Sequence, residues 1–329
     1  MSSFLPIAVH ESRFPGRRSE AARAAFAQGR LPGWLLYEGE GQANRWLAYH
    51  AAWSPARRED ELRGLYRRAF AAAWAALGPG SPHLVSLGCG GGGKDSDALD
   101  MLPGAGGARC HYTPLDASLA LVLLAAQRVT DRHTLLGCHP LVADLEMLPA
   151  LDGWLTGQDG GGCRRLVTCF GMIPNLDPET FPRYVAGLLR AGDGLLISAN
   201  LSPTGHGADG ARILAQYDNP EARAWYLGAL AALGLSPEGA DLAIASRPLS
   251  NDGGWWRIEA VARPRRPVRI VVDGVAWDLA AGAPLRVFAS NRFTLPAIRA
   301  LLEQAGLVVA EQWIHAGGEE GIFRCGRAG

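Results

Sequence analysis

Apolar positions recur at helical spacing between residues 57 and 77, where Leu62, Leu65, Tyr66, Ala69, Phe70 and Ala73 share one face. Gly78-Pro79-Gly80 stops that helix. Short apolar runs then alternate with amphipathic stretches. Residues 84–87, 111–115, 141–143, 165–170 and 194–200 read as strands. Residues 94–102, 118–129 and 178–189 read as the helices between them, and Ser118 stands at an N-cap. Alternation at this rhythm predicts an α/β fold, a parallel sheet with helices on both faces.

The rhythm breaks after Asn200. A polar, glycine-rich connection covers 202–210, and 213–233 reads as helix. Residues 242–245, 255–262, 268–272 and 285–289 read as antiparallel strands, with a turn at 263–267. The α/β order resumes at Thr294 with a helix over 295–305 and strands over 307–312 and 322–325. Near the start, 19–28 is helical and 34–53 is rich in aromatic residues. The division expected is one domain of 61–203 plus 290–329, and a second lobe of 1–60 plus 204–289. No internal repeat interrupts it.

Composition narrows the function. Thirty-two basic residues balance 32 acidic ones, so the chain carries no electrostatic footprint for nucleic acid. Lys94 is the sole lysine, a bias that reads as genomic. No apolar run is long enough to span a membrane, and 1–14 lacks a signal-peptide pattern. The six cysteines form no C-x-x-C pair, and the histidines have no metal-ligand spacing, so no metal is expected. Reduced cysteines fit a cytoplasmic protein.

The segment from Leu84 to Lys94 is the densest in chemistry. A strand runs into Gly88-Cys89-Gly90-Gly91-Gly92-Gly93 and a helix follows, a place where only glycine lets backbone approach a nucleotide-like ligand closely. The G-x-G-x-x-G match alone is weak, and a glycine-rich surface turn is the plain alternative. Asp116 ends the second strand, where a carboxylate can hold ribose hydroxyls. Asp144 ends the third, where an acid suits an adenine amine. Either could instead be a helix cap. A pyrophosphate favours a positive helix start, whereas Lys94-Asp95-Ser96-Asp97 places two acids there. S-adenosylmethionine (SAM), a cationic sulfonium without phosphate, fits better than NAD.

Other segments follow in a distinctive order. Trp34-Leu35-Leu36-Tyr37-Glu38-Gly39-Glu40-Gly41 is an aromatic-acid-glycine opening, and Trp53-Ser54-Pro55-Ala56-Arg57-Arg58-Glu59 precedes the first long helix. Tyr112 to Ser118 carries a proline-leucine-aspartate-hydroxyl run. Phe170-Gly171-Met172-Ile173-Pro174-Asn175-Leu176 follows the fourth strand. Gln216-Tyr217-Asp218-Asn219, Ser290-Asn291-Arg292-Phe293-Thr294 and Ala305-Gly306-Leu307 complete the set. Collinear over most of the chain, they resemble the SAM-dependent histidine-specific methyltransferase family, which includes the histidine Nα-methyltransferase of ergothioneine synthesis.

The resemblance implies a class I (Rossmann-like) SAM-methyltransferase sheet with an inserted α+β substrate-binding lobe. It implies SAM as cofactor, S-adenosylhomocysteine (SAH) as product and a small-molecule amine as substrate. Gly88, Gly90 and Gly92 line the methionine and ribose, Asp116 holds the ribose and Asp144 the adenine. Lys94, Phe170 and Gly171 complete the cofactor wall. Asn175 contacts the amine being methylated, and Tyr217 binds its carboxylate and amine. Apart from the resemblance, the place of Asp218 next to Tyr217 suits a residue that takes a proton through water, with an ordinary helix start as the plain alternative. Tyr37, Trp53, Phe288 and Ser290 line the substrate pocket.

Three departures bear on the substrate. Ser86 stands where the family has an acid before the first glycine, and Trp53 and Ser54 stand where it has tyrosines. Phe288 occupies the place of the glutamate that binds imidazole. An apolar ring accepts no hydrogen bond from an imidazole N–H, so a substrate other than free histidine is expected. The reading is N-methylation of an amino acid or a derivative, with O-, S- or C-methylation of a natural product as the alternative. An NAD(P)-binding protein and a non-catalytic binding module are the remaining classes. The aromatic set Trp34, Tyr37, Trp46, Trp53, Trp225, Trp255 and Trp256 reads as lobe core in preference to a cation cage.

Overall fold

A computed structural model of the chain describes residues 5–54, 59–103, 110–249 and 254–328. Its main sheet begins with β1 (Ala8–Val9), β2 (His83–Leu87), β3 (His111–Asp116), β4 (Gly137–Cys138) and β5 (Leu141–Val142). It continues with β6 (Arg165–Cys169) and β7 (Gly194–Asn200). A second sheet and a hairpin come from β8 (Ala240–Pro248), β9 (Trp255–Pro264), β10 (Val268–Val272), β11 (Val275–Leu279) and β12 (Leu285–Phe293). Two strands, β13 (Leu307–Ile314) and β14 (Glu320–Arg327), return to the main sheet. Its order is β1-β5-β3-β2-β6-β7-β14-β13, with β4 beside β3.

Strands β5, β3, β2, β6 and β7 are mutually parallel, while β14 runs antiparallel to β7 and to β13. This is the parallel sheet that the resemblance implies, extended at one edge by an antiparallel pair. Strands β2 and β6 are buried at every position, which is why they read as continuous apolar runs without alternation. Helices cover both faces: α3 (Asp60–Leu77), α4 (Gly93–Asp100), α5 (Leu119–Thr130), α6 (Asp152–Asp159), α7 (Thr180–Leu188) and α10 (Leu295–Gln304). One core holds Val85, Val167, Ile197 and Phe181, the opposite one Leu84, Phe70, Trp74 and Leu166. The chain leaves β2 in one direction for β3 and β5, then returns to its other side for β6 and β7. That reversal opens a crevice at the strand C-termini.

The second sheet, β12-β9-β8, is antiparallel. Along β9, Trp256, Ile258, Ala260 and Ala262 are buried in alternation, the period of a strand with one covered face. They share a core with Trp225, Tyr226 and Leu230 of α9 (Pro220–Ala232). Helices α1 (Pro15–Ala27) and α2 (Gly39–Trp53) flank this side.

Several elements differ from the sequence reading. The aromatic stretch before residue 54 is largely the helix α2, whose spread of aromatic side chains hides a helical stripe. The single helix expected over 213–233 is two: α8 (His206–Leu214) and α9. Pro220 forbids continuation and the Asn219 side chain accepts from the Ala222 N–H, so a new helix starts there. The polar connection expected through residue 210 is partly α8. Strands β1, β4 and β11 and helix α6 are too short or too mixed to have declared themselves. The expected start of α3 at residue 57 lies outside the described residues.

Gly92 is the sharpest local constraint. Its φ is +68°, and a Cβ there would lie 2.6 Å from the Ala125 Cα on α5. Gly92→Ala should therefore cost about 2 kcal/mol or more through backbone strain and overpacking. Thermal denaturation measures this, and an unchanged melting temperature would refute the close approach.

Candidate active site

A cavity of about 490 Å³ opens over the C-terminal ends of the parallel strands and is walled by α2 and β12. Its floor is the glycine loop. Gly88 and Gly90 have φ of +72° and +50°, and the Gly88 and Cys89 N–H groups both donate to the Leu115 carbonyl at 2.8 and 2.9 Å. A Cβ on Gly90 would meet Trp46 at 2.7 Å. Main chain alone fits between the loop and that indole.

Asp116 clamps this floor. One carboxylate oxygen accepts from the Gly90 N–H at 3.2 Å and the other from the Ser118 N–H at 3.0 Å. Burial raises its pKa to about 6, against the pull of those N–H donors. Asp144 accepts from the Glu146 N–H at 3.0 Å, capping a short turn while still lining the cavity. Burial and the nearby Glu146 raise its pKa. Both aspartates thus hold backbone N–H groups and line the cavity at once.

The far wall is aromatic and cationic. Phe170 meets Tyr66 edge-on at 5.1 Å, and Lys94 donates to the Tyr66 hydroxyl at 2.8 Å. Tyr66 in turn donates to Glu320. The Gly171 N–H donates to Ser198 at 3.1 Å. Asn175 donates through Nδ2 to the Gly171 carbonyl at 3.0 Å.

At the other end a polar cluster forms from distant segments. The Tyr217 and Ser290 hydroxyls are 3.1 Å apart. Asn200 donates to the Tyr217 oxygen at 3.1 Å, and buried Arg292 donates to it at 3.2 Å. Phe288 lies beside this cluster, 5.4 Å from Trp225 and from Tyr226 and 6.1 Å from Tyr217 between ring centroids. Tyr37 packs 5.4 Å from Trp225, and Trp53 donates to Glu221 at 2.9 Å. All line the cavity except Tyr226 and Glu221.

Two expected site residues fall elsewhere. Asp218 is not in the cavity wall; its carboxylate accepts from Arg223 at 2.6 Å. The turn that directs Tyr217 inward points the next residue away. Gly92 packs on α5 and leaves the lining to its neighbours. Sequence reasoning missed Asn200 and Arg292, and it read Trp46 with the lobe core, whereas that indole lines the cavity. Arg292 sat inside a recognised segment, but nothing local marked it as a partner of Tyr217. Of the aromatic set, Trp225 and Trp256 are fully buried, and Trp255 stacks on Phe293 at 5.8 Å between centroids. Trp34 lies 4.0 Å beneath the Arg18 guanidinium, its ring face taken by the protein's own cation.

The family model for histidine-specific, SAM-dependent methyltransferases matches residues 19–325. The chain belongs to that family. No curated protein matches it in sequence. Among solved structures it is similar to an S-adenosylmethionine-dependent methyltransferase from Clostridium acetobutylicum, with 10% identity and a TM-score of 0.45 over 87% of this chain and 99% of that one. It is also similar to a sugar N-methyltransferase from Streptoalloteichus, with 16% identity and a TM-score of 0.42 over 85% and 93%. A third is the 1,6-didemethyltoxoflavin-N1-methyltransferase of Burkholderia thailandensis, with 14% identity and a TM-score of 0.41 over 88% and 89%.

This family member is a SAM-dependent methyltransferase, and its cavity fits the cofactor. Bare main chain stands at Gly90, and a carboxylate stands at the end of each of the two strands beyond β2. Bound SAM supplies an electrophilic methyl group on sulfur. Among the described residues no cluster could hold a metal, and no helix is long and apolar enough to cross a membrane.

Protonation of Asp116 removes an acceptor, and its raised pKa places that change near pH 6. SAH affinity should fall as the pH drops through 6. Asp116→Ala should weaken SAH about a hundredfold at pH 8, as loss of charge-assisted hydrogen bonds implies. Calorimetric titration reads both, and unaltered affinity in the variant would refute the assignment.

Proposed function

We propose that this methyltransferase acts on a nitrogen of an amino acid or amino-acid-derived small molecule. The observation that carries the reading is the state of the Tyr217 hydroxyl. Its oxygen already accepts from Asn200 and Arg292, which occupies both lone pairs. Tyr217 is therefore left to donate, to Ser290 or to an acceptor on a ligand. A substrate carboxylate is such an acceptor.

Asn175 supplies the complementary group. With Nδ2 committed to the Gly171 carbonyl, its Oδ1 is available to accept from a substrate N–H. Such a bond orients the nitrogen lone pair. An amine attacks only when neutral, and a free α-amine titrates near pH 8, roughly. With Asp218 turned to Arg223, the substrate sheds its proton to solvent before attack. The remaining work is alignment and exclusion of water, which Trp46, Trp53 and Phe170 perform.

Phe288 selects the rest of the substrate. Its stacking on Tyr217 and Tyr226 and its tilted contact with Trp225 suit an apolar or aromatic portion and leave a polar N–H without a partner.

Asn175→Ala should lower turnover about a hundredfold, the effect of misplacing a nucleophile, while SAH affinity stays within about threefold. An unchanged rate would remove Asn175 from the reaction. With labelled SAM and a panel of amino acids, free histidine should be about 10- to 100-fold poorer than an α-amino acid with an apolar side chain, through an unpaired imidazole N–H. Label on oxygen, sulfur or carbon instead would sink the nitrogen assignment.

A further inference from the structure

Ser86 stands two residues before the first glycine of the loop. The structure brings a carboxylate to this spot. Asp95, in the first turn of α4, lies 2.8 Å from the Ser86 hydroxyl through one oxygen and 2.5 Å from the Tyr112 hydroxyl through the other. Both hydroxyls come from strands, β2 and β3, and both donate. Asp95 is 2% exposed, yet it and Ser86 line the cavity at the base of the glycine loop.

The remaining carboxylates of the cavity wall have other occupations. Asp116 and Asp144 accept backbone N–H groups, and Glu146 pairs with Arg30 at 3.0 Å. Asp177 accepts from Thr180, Glu319 from Arg212 and Gln216, and Glu320 from Tyr66. Asp95 and Glu320 receive only neutral hydroxyls, and Asp95 is the one of this set held by two, one on each oxygen; no arginine or lysine pairs with it among the described residues. Lys94, its chain neighbour, sends its ammonium to Tyr66. The start of α4 offsets part of the charge, and burial pushes the Asp95 pKa up to about 6.

A carboxylate oxygen has two lone pairs, and one hydroxyl fills only one of them. Two hydroxyls therefore fix the orientation of Asp95 while leaving acceptor capacity on each oxygen. A buried charge held in this way suits a cationic partner. SAM carries one beyond its sulfonium, the α-ammonium of its methionine part.

We propose that Asp95, aimed by Ser86 and Tyr112, binds the α-ammonium of the SAM methionine moiety, so that the helix after the glycine loop supplies the carboxylate at its base. The assignment rests on SAM binding in this cavity and is independent of which acceptor is methylated. It differs from the roles of Asp116 and Asp144, which address the adenosine part.

The test compares two ligands on the full chain by calorimetry at pH 8. SAH contains the ammonium, and 5′-methylthioadenosine retains the adenosine but lacks the amino-acid part. Asp95→Asn should weaken SAH by about 10- to 100-fold and leave 5′-methylthioadenosine within about twofold. Equal weakening of both ligands, or undiminished SAH affinity, overturns the proposal. If Asp95→Asn does not fold, Tyr112→Phe keeps the charge and removes one aiming bond. It should weaken SAH severalfold and spare 5′-methylthioadenosine, and any other result overturns the assignment. Asp116→Ala serves as the control, because it should weaken both ligands and so separates a failure of cofactor binding from a failure of this assignment.

Discussion

The bond from the Gly90 N–H to the Asp116 carboxylate holds the site together. It ties the loop after β2 to the end of β3. The Leu115 carbonyl adds a second tie by accepting from Gly88 and Cys89. A loop with positive φ at three glycines has many unfolded alternatives, and these bonds select one of them. Asp116 is held by backbone rather than by a cation, so its charge remains available to a ligand.

The end of the cavity at Tyr217 depends on a different constraint. Strand β12 belongs to the second sheet, yet the Asn291 N–H donates to the Pro174 carbonyl at 2.6 Å, and the Phe293 carbonyl accepts from Ser202 at 2.8 Å. Those bonds fasten the second sheet to the loops after β6 and β7. Tyr217, Ser290, Asn200 and Arg292 converge because of them. A shift of β12 by one residue would turn Ser290 and Arg292 to the other face. The shape of this end of the cavity is thus coupled to the seating of one sheet on the other.

Much of the fold was legible in the chain. Buried parallel strands must be apolar throughout, and the glycine loop and the acids at the β3 and β5 ends announced themselves by type and place. Elements were harder to read where aromatic residues served two surfaces at once. Trp46 covers Gly90, whereas Trp225 fills the core, so α2 and its neighbours presented no single apolar stripe. The break between α8 and α9 was written in Asn219-Pro220, but helical residues on both sides masked it.

Sequence by itself determined the sheet order's raw material, the glycine loop and the family, because these rest on local chemistry: glycine where backbone must bend, acid where a strand ends, apolar runs where both faces are covered. Only the tertiary structure decided which side chains share the cavity. It turned Asp218 toward Arg223, moved Gly92 onto α5, and joined Tyr217 to Asn200 and Arg292 across 17 and 75 residues of chain. Such contacts depend on how two sheets pack and on which way a turn points, and neither is written in the neighbours of a residue.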